Sequence, residues 1–314
     1  MRILLHYAAG AAWQRDLASL AARGLEIDCC DESDDVRFYA LLPEADVLWH
    51  LLRPLSAGDI GRAKRLRLIQ KIGVGVNTID LESARSRGIA VCNMPGANAP
   101  AVAEMALLLM LACLRRLTLL DRAMREGRGW QLGSTLQDSY GELGGRTAGL
   151  VGYGAVGRTL APVLHALGAK VIYTATAPKP DAAAGFRSLD SLLREADIVS
   201  LHLPLTAETA KLIDARRLDM MRPGAILINT ARGGLVDQPA LETALRSGRL
   251  GAAGLDVFTS EPVGGGEPLL KLDNLVVTPH LAWLTLDTLR RSRDVAIENC
   301  RRLSTGEPLL HRVV

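Results

Sequence analysis

At 314 residues the chain is longer than a single hydrophobic core usually serves, so two domains are expected. Apolar residues make up 48% of it, enough for buried interiors, and a net charge of +3 is too balanced to point to a nucleic acid or a membrane surface. The longest apolar run, residues 105–114, is too short to span a bilayer. The chain opens directly on a strand-like run without the apolar region of a signal peptide. Cys29, Cys30, Cys92, Cys113 and Cys300 are odd in number and show no C-x-x-C spacing, so reduced thiols in a cytoplasmic protein, with no metal site, are the expectation.

In chain order, apolar runs at 3–7, 25–29, 47–52, 66–72 and 89–93 read as strands, with segments of helical composition between them. That alternation predicts a parallel sheet covered on both faces. Its one unusual feature is the glycine-spaced stretch Lys71-Ile72-Gly73-Val74-Gly75-Val76-Asn77, directly after a strand. It reads either as a tight turn or as a set of exposed amides able to hold an anion. The breaker cluster at 95–100 marks a domain crossing. Residues 102–125 then predict one long helix, and 127–142 a polar connection containing Trp130, placed as an arm against a second subunit.

The centre of the chain is a βαβ unit. Residues 147–151 form an apolar strand, Gly152, Gly154 and Gly157 give the G-x-G-x-x-G spacing, 158–167 have helical periodicity and 170–173 form the next strand. In that setting the first glycine makes the tight turn, the second lets a pyrophosphate approach, and the third lets helix and strand pack closely. Later strands fall at 198–201, 225–229, 252–257 and 275–278, and a final helix at 285–303 returns to the first domain. The expected fold is therefore α/β. Two Rossmann-like doubly wound parallel-sheet domains are predicted, a dinucleotide-binding domain at 98–284 inserted in a substrate-binding domain made of 1–97 and 285–314.

Ligands of open α/β sheets bind at the carboxyl ends of strands, and three chemically capable residues follow strands here: Arg232, Glu261 and His280. Singly, each has a bland reading as a surface cation, a turn residue or a satisfied polar group. Together they suit hydride transfer to a 2-keto acid. His280 can supply the proton to the developing alkoxide. Glu261, bonded to the other ring nitrogen, would fix its tautomer. Arg232 can bind the carboxylate and polarise the carbonyl in one fork-shaped contact. Amides at 73–76, including those of Val74 and Gly75, would complete carboxylate recognition, and Arg53 and Trp283 either shape the pocket or pack.

These motifs resemble those of the D-isomer-specific 2-hydroxyacid dehydrogenases. The resemblance runs through Gly152-x-Gly154-x-x-Gly157, Asn229-Thr230-Ala231-Arg232-Gly233, Asp256-Val257 with Glu261-Pro262, and Thr278-Pro279-His280. It covers essentially the whole chain. It implies an NAD(P)-dependent enzyme in which Arg232 binds substrate, Glu261 tunes the histidine and His280 is the acid/base. Gly152, Tyr153, Gly154, Ala155, Val156, Gly157, Leu203, Pro204, Thr230, Ala231, Asp256 and Trp283 would line the cofactor site, with Asp256 near the nicotinamide carboxamide. It also implies a homodimer. The stretch from Pro279 to Trp283 is similar to the glycerate dehydrogenase and hydroxypyruvate reductase branch. Glu261 stands where formate dehydrogenases carry Gln.

One departure bears on the cofactor. NAD-dependent members place an Asp at the end of the second nucleotide strand, where this chain has Ala175, and no acidic residue occurs from Arg158 through Pro180. A 2′-phosphate would meet no repulsion there, while Thr174, Thr176 and Lys179 could bond it. NADP is therefore the expected cofactor, ahead of NAD. The competing class is a nucleotide-sensing binding protein or corepressor of the same fold. The complete Arg/Glu/His set and the absence of long interaction tails argue against it.

Overall fold

The computed structural model describes residues 1–131, 133 and 140–314. The chain divides into two units, Met1–Asn98 with Thr285–Val314, and Ala99–Leu284.

The first unit is built on β1 (Arg2–His6), β2 (Glu26–Cys30), β3 (Val47–His50), β4 (Leu68–Lys71) and β5 (Ala90–Cys92). All pair in parallel, in the order β2-β1-β3-β4-β5. β3 and β4 are buried along their whole length, which is why they read as continuous runs rather than alternations. The helices α1 (Ala11–Ala18), α2 (Asp35–Leu41), α3 (Ala57–Arg62) and α4 (Leu81–Ser86) connect successive strands. Asp34 and Asp80 cap α2 and α4, and Ser56 with Asp59 forms a capping box on α3.

The second unit opens with α5 (Ala99–Leu114) and α6 (Leu117–Arg125). The expectation of one helix over 102–125 is corrected here, since the chain breaks at Arg116, which is left-handed at φ 51°. α5 is apolar nearly all round and largely buried, whereas 115–125 carry four arginines and a single apolar stripe. One straight helix could not suit both to the same surroundings. The arm expected over 127–142 lies partly outside the described residues; Trp130, which is described, is 92% exposed.

Next come β6 (Thr147–Val151), α7 (Ala155–Ala166), β7 (Lys170–Thr174), β8 (Gly185–Phe186), α8 (Leu189–Glu195), β9 (Ile198–Leu201), α9 (Ala215–Met220), β10 (Ala225–Asn229), α10 (Gln238–Arg246), β11 (Leu250–Leu255) and β12 (Leu275–Val277). The seven strands are parallel in the order β12-β11-β10-β9-β6-β7-β8. Sequence order reverses between β6 and β9, the crevice at which such sheets bind dinucleotides. The last helix, α11 (Leu286–Thr305), belongs to the first unit, where Asn299 donates to Gln70 Oε1 at 2.6 Å and accepts from the Leu310 amide at 2.7 Å. Among the described residues no helix is long and apolar enough to cross a membrane.

Candidate active site

After β6 the chain turns through Gly152 at φ 97°. A Cβ there would stand 2.3 Å from the His202 carbonyl oxygen, so only glycine lets the ends of β6 and β9 meet. Gly154 is the N-cap of α7, and among the described residues no side chain caps that helix and nothing lies within 4 Å of the place a Gly154 Cβ would take. An open space before uncapped helix amides suits a phosphate. Near the same switch point Thr230 Oγ1 and both ring nitrogens of His202 are buried without a hydrogen-bond partner among the described residues. These groups fit a dinucleotide, with its diphosphate at the start of α7 and polar groups of its ribose or carboxamide end at the orphaned atoms.

The residues expected around that cofactor are placed unequally. Ala155 is exposed and Val156 half-buried, while Gly157 packs against the Gly152 carbonyl. The ring of Tyr153 is buried against Tyr173, 4.3 Å between centroids, so its side chain belongs to the core. Thr174 and Ala175 are half-buried at the end of β7 and Thr176 is exposed. The Lys179 amide donates to the Tyr173 hydroxyl at 2.6 Å. Beyond β9, Leu203 is half-buried and Pro204 exposed, and after β10 Ala231 is half-buried.

At the far strands the loops converge. His280 Nδ1 lies 2.6 Å from Glu261 Oε2, and Glu261 Oε1 accepts the Phe258 amide at 2.8 Å. Burial alone would raise the Glu261 carboxyl, but the His280 and Phe258 hydrogen bonds, with the charges of His280 and Arg232, hold it below its ordinary range. Arg232 is pushed down by burial and pulled back by the Glu261 charge. Its turn is shaped by Asn229, which accepts the Ala231 amide at 3.0 Å and donates to the Arg232 carbonyl at 2.9 Å. A Cβ on Gly233 would fall 1.9 Å from the Phe258 carbonyl carbon, so glycine is what brings the arginine loop against the glutamate loop.

His280 is itself left-handed, φ 57°, a conformation that needs outside support. Asp256 provides it. Its backbone carbonyl accepts the His280 amide at 2.7 Å. Its carboxylate accepts the Thr278 hydroxyl at 2.5 Å and the Leu281 and Ala282 amides at 2.9 Å each. Burial raises the Asp256 carboxyl, only partly offset by those bonds. Trp283 Nε1 donates to the His280 carbonyl at 3.0 Å from a buried ring.

Together these observations describe a nucleotide crevice with a carboxylate-backed imidazole and a buried guanidinium at its strand ends. Residues 107–282, more than half of the chain, match the family model for the D-isomer specific 2-hydroxyacid dehydrogenase, NAD binding domain. The chain belongs to this dehydrogenase family. It is 40% identical over 255 residues to a hydroxypyruvate reductase of Thermotoga maritima, covering 80% of this chain and 82% of that protein. It is 39% identical over 299 residues to a D-3-phosphoglycerate dehydrogenase of Mycobacterium leprae, covering 92% of this chain but only 55% of that longer protein. A solved structure from Thermus thermophilus superposes with a TM-score of 0.91 at 39% identity, covering 100% of both chains. Two others at 26% identity carry different cofactors. One is an acyclic imino acid reductase with NADPH (TM-score 0.87, 100% of both chains), the other a formate dehydrogenase of Staphylococcus aureus with NAD (TM-score 0.89, 100% of this chain and 99% of that one). A nicotinamide dinucleotide is thus the cofactor of the family.

In the first unit of this dehydrogenase, the loop after β4 is held on several sides. The Gly73 carbonyl accepts the Met94 amide at 2.9 Å and the Val74 carbonyl accepts Asn93 Nδ2 at 2.9 Å. Lys71 is buried, with Nζ on the Leu51 carbonyl and on Thr78 Oγ1. Val74 is exposed and Gly75 half-buried. Arg53 pairs with Asp35 at 2.5 Å and lies 5.4 Å from the centre of the Phe38 ring, while its amide donates to Glu32 at 2.7 Å. Sequence reading gave no role to Asn229, Thr278 or Gln238, whose Oε1 accepts the Thr259 amide at 3.1 Å. The first two were marked only by their place in the motifs at strand ends, and Gln238 carried no signal.

Proposed function

We propose that this protein reduces a small 2-keto acid, glyoxylate or hydroxypyruvate, to the D-2-hydroxy acid, with NADPH preferred over NADH. The observation that carries the reading is the 2.6 Å contact of His280 with Glu261, whose carboxylate also feels the charge of Arg232. The bound dinucleotide supplies the hydride. Glu261 accepts from Nδ1 and so leaves Nε2 to deliver a proton to the carbonyl oxygen. Arg232 grips the carboxylate and polarises the carbonyl, and its burial strengthens that contact. Val74, Gly75 and Arg53 of the first unit, and Trp283 of the second, are further candidates for substrate recognition.

The cofactor preference rests on Ala175, which offers a 2′-phosphate no repulsion, beside Thr174, Thr176 and Lys179. The first unit is read as the substrate-binding domain and the second as the dinucleotide-binding domain. The five unpaired cysteines suit a reducing compartment, so the enzyme is placed in the cytoplasm. Exposed apolar residues on α5 and α6, Leu108, Leu117 and Met124 among them, suit a homodimer. The decisive experiment follows NADPH and NADH oxidation at 340 nm with a panel of keto acids, in the parent and in His280→Ala. Turnover that survives His280→Ala removes the assigned acid, and a strong preference for NADH removes the cofactor assignment.

A further inference from the structure

Asp181 is the only acidic residue between Glu142 and Asp190, and the structure spends it on one partner. Its Oδ2 lies 2.6 Å from Nη1 of Arg158, in the first turns of α7. The Arg158 guanidinium also sits 5.6 Å from the centre of the Tyr153 ring, the middle residue of Gly152-Tyr153-Gly154. The Tyr153 ring packs in turn, tilted by 33°, against Tyr173, one residue before the end of β7. The loop 175–184 that carries Asp181 is tied down by the Lys179 amide on the Tyr173 hydroxyl and by His165 Nε2 on the Ala183 carbonyl at 2.5 Å. One long-stemmed cation is therefore anchored between the phosphate turn and the end of β7, the two features that flank an adenosine ribose in this fold. The Arg158 side chain keeps 40% of its surface in solvent and that of Asp181 67%.

We propose that the Arg158–Asp181 pair sets cofactor choice, with Arg158 exchanging Asp181 for the 2′-phosphate of NADPH. This extends the NADPH reading and adds a residue to it. A planar guanidinium binds a phosphate through two parallel hydrogen bonds. Among the described residues Arg158 is the one arginine over the Tyr153 ring. In the absence of a 2′-phosphate, Asp181 neutralises Arg158, so NADH neither gains from the cation nor suffers from the carboxylate. The pair is exposed and its own energy is small, so the exchange is not held back.

Isothermal titration with adenosine 2′,5′-bisphosphate and with ADP, alongside NADPH and NADH, tests this without relying on turnover. Arg158→Gln should weaken the bisphosphate and NADPH by roughly tenfold, the scale of one hydrogen-bonded charge contact, and leave ADP and NADH within about twofold. Asp181→Asn should tighten the 2′-phosphorylated ligands, because it frees the same arginine. Both substitutions break the ion pair, so a purely structural role would move them in the same direction for every ligand, and that outcome overturns the proposal. Selective weakening of NADH by Asp181→Asn also overturns it, since Asp181 would then be a ribose ligand. The parent's own NADPH to NADH ratio decides the broader cofactor reading separately. A parent that prefers NADH, but loses only bisphosphate affinity in Arg158→Gln, sinks that reading and keeps this one.

Discussion

Replacing Glu261 by Gln should cripple the enzyme for a reason specific to this loop. Glu261 uses both oxygens: Oε2 faces His280 Nδ1 and Oε1 takes the Phe258 amide. A glutamine has one oxygen to offer. If its carbonyl stays on Phe258, its NH2 faces Nδ1, which must become an acceptor, and the proton is forced onto Nε2 in the resting tautomer. If the amide flips, the tautomer is kept, but the part-buried Phe258 N–H then meets another donor. Leaving such a donor unsatisfied costs about 1–3 kcal/mol, which corresponds to a fall of roughly 5- to 150-fold in kcat/KM if the penalty falls on the reactive arrangement. The assay is NADPH oxidation with glyoxylate and hydroxypyruvate, with cofactor affinity measured by fluorescence titration. Cofactor affinity should stay within about twofold, because Glu261 touches neither the glycine turn nor β7. A folded Glu261→Gln enzyme within twofold of parental kcat/KM would refute both the geometry and the role given to His280.

Three further outcomes follow from the same geometry. Asp256→Asn leaves one of the amides of Leu281 and Ala282 or the Thr278 hydroxyl facing an NH2 group, so kcat/KM should fall by about tenfold or more as the left-handed His280 turn loosens; parental kinetics would show that the turn holds itself. Gly152→Ala drives a Cβ to 2.3 Å from the His202 carbonyl at a positive φ, so it should lower the melting temperature and abolish saturable NADPH binding, both absent if the turn can yield. His6 is 1% exposed and is pushed down to about 4, chiefly by burial and then by the Arg53 charge. Its folded value lies below the unfolded 6.5, so its stability contribution is intact above pH 6.5 and is lost as pH falls from there toward 4. The loss amounts to about 2 kcal/mol at pH 5 and about 3 kcal/mol in full. Urea unfolding at pH 7.5 and pH 5, in the parent and in His6→Leu, measures it; an identical pH dependence in the two would exclude His6 as the source.

The chain by itself fixed whatever depends on local pattern. Alternating apolar runs predict parallel sheets because strands covered on both faces must be apolar throughout, as β3 and β4 are. The G-x-G-x-x-G spacing marks the crevice because no other residue tolerates φ 97° with a carbonyl 2.3 Å away. Arg232, Glu261 and His280 stood out as candidates because each follows a strand. Long-range closure was not legible. Nothing in the order of residues said that Glu261 would divide its two oxygens between His280 and Phe258. Nor did it say that the lone carboxylate at Asp181 would turn to Arg158, or that Asp256 would spend its charge holding the His280 turn. The Glu261 and Asp256 outcomes depend on which buried donors are left needing an acceptor once the strands have packed, the Asp181 one on which cation the fold brings within reach, and only the tertiary structure decides these.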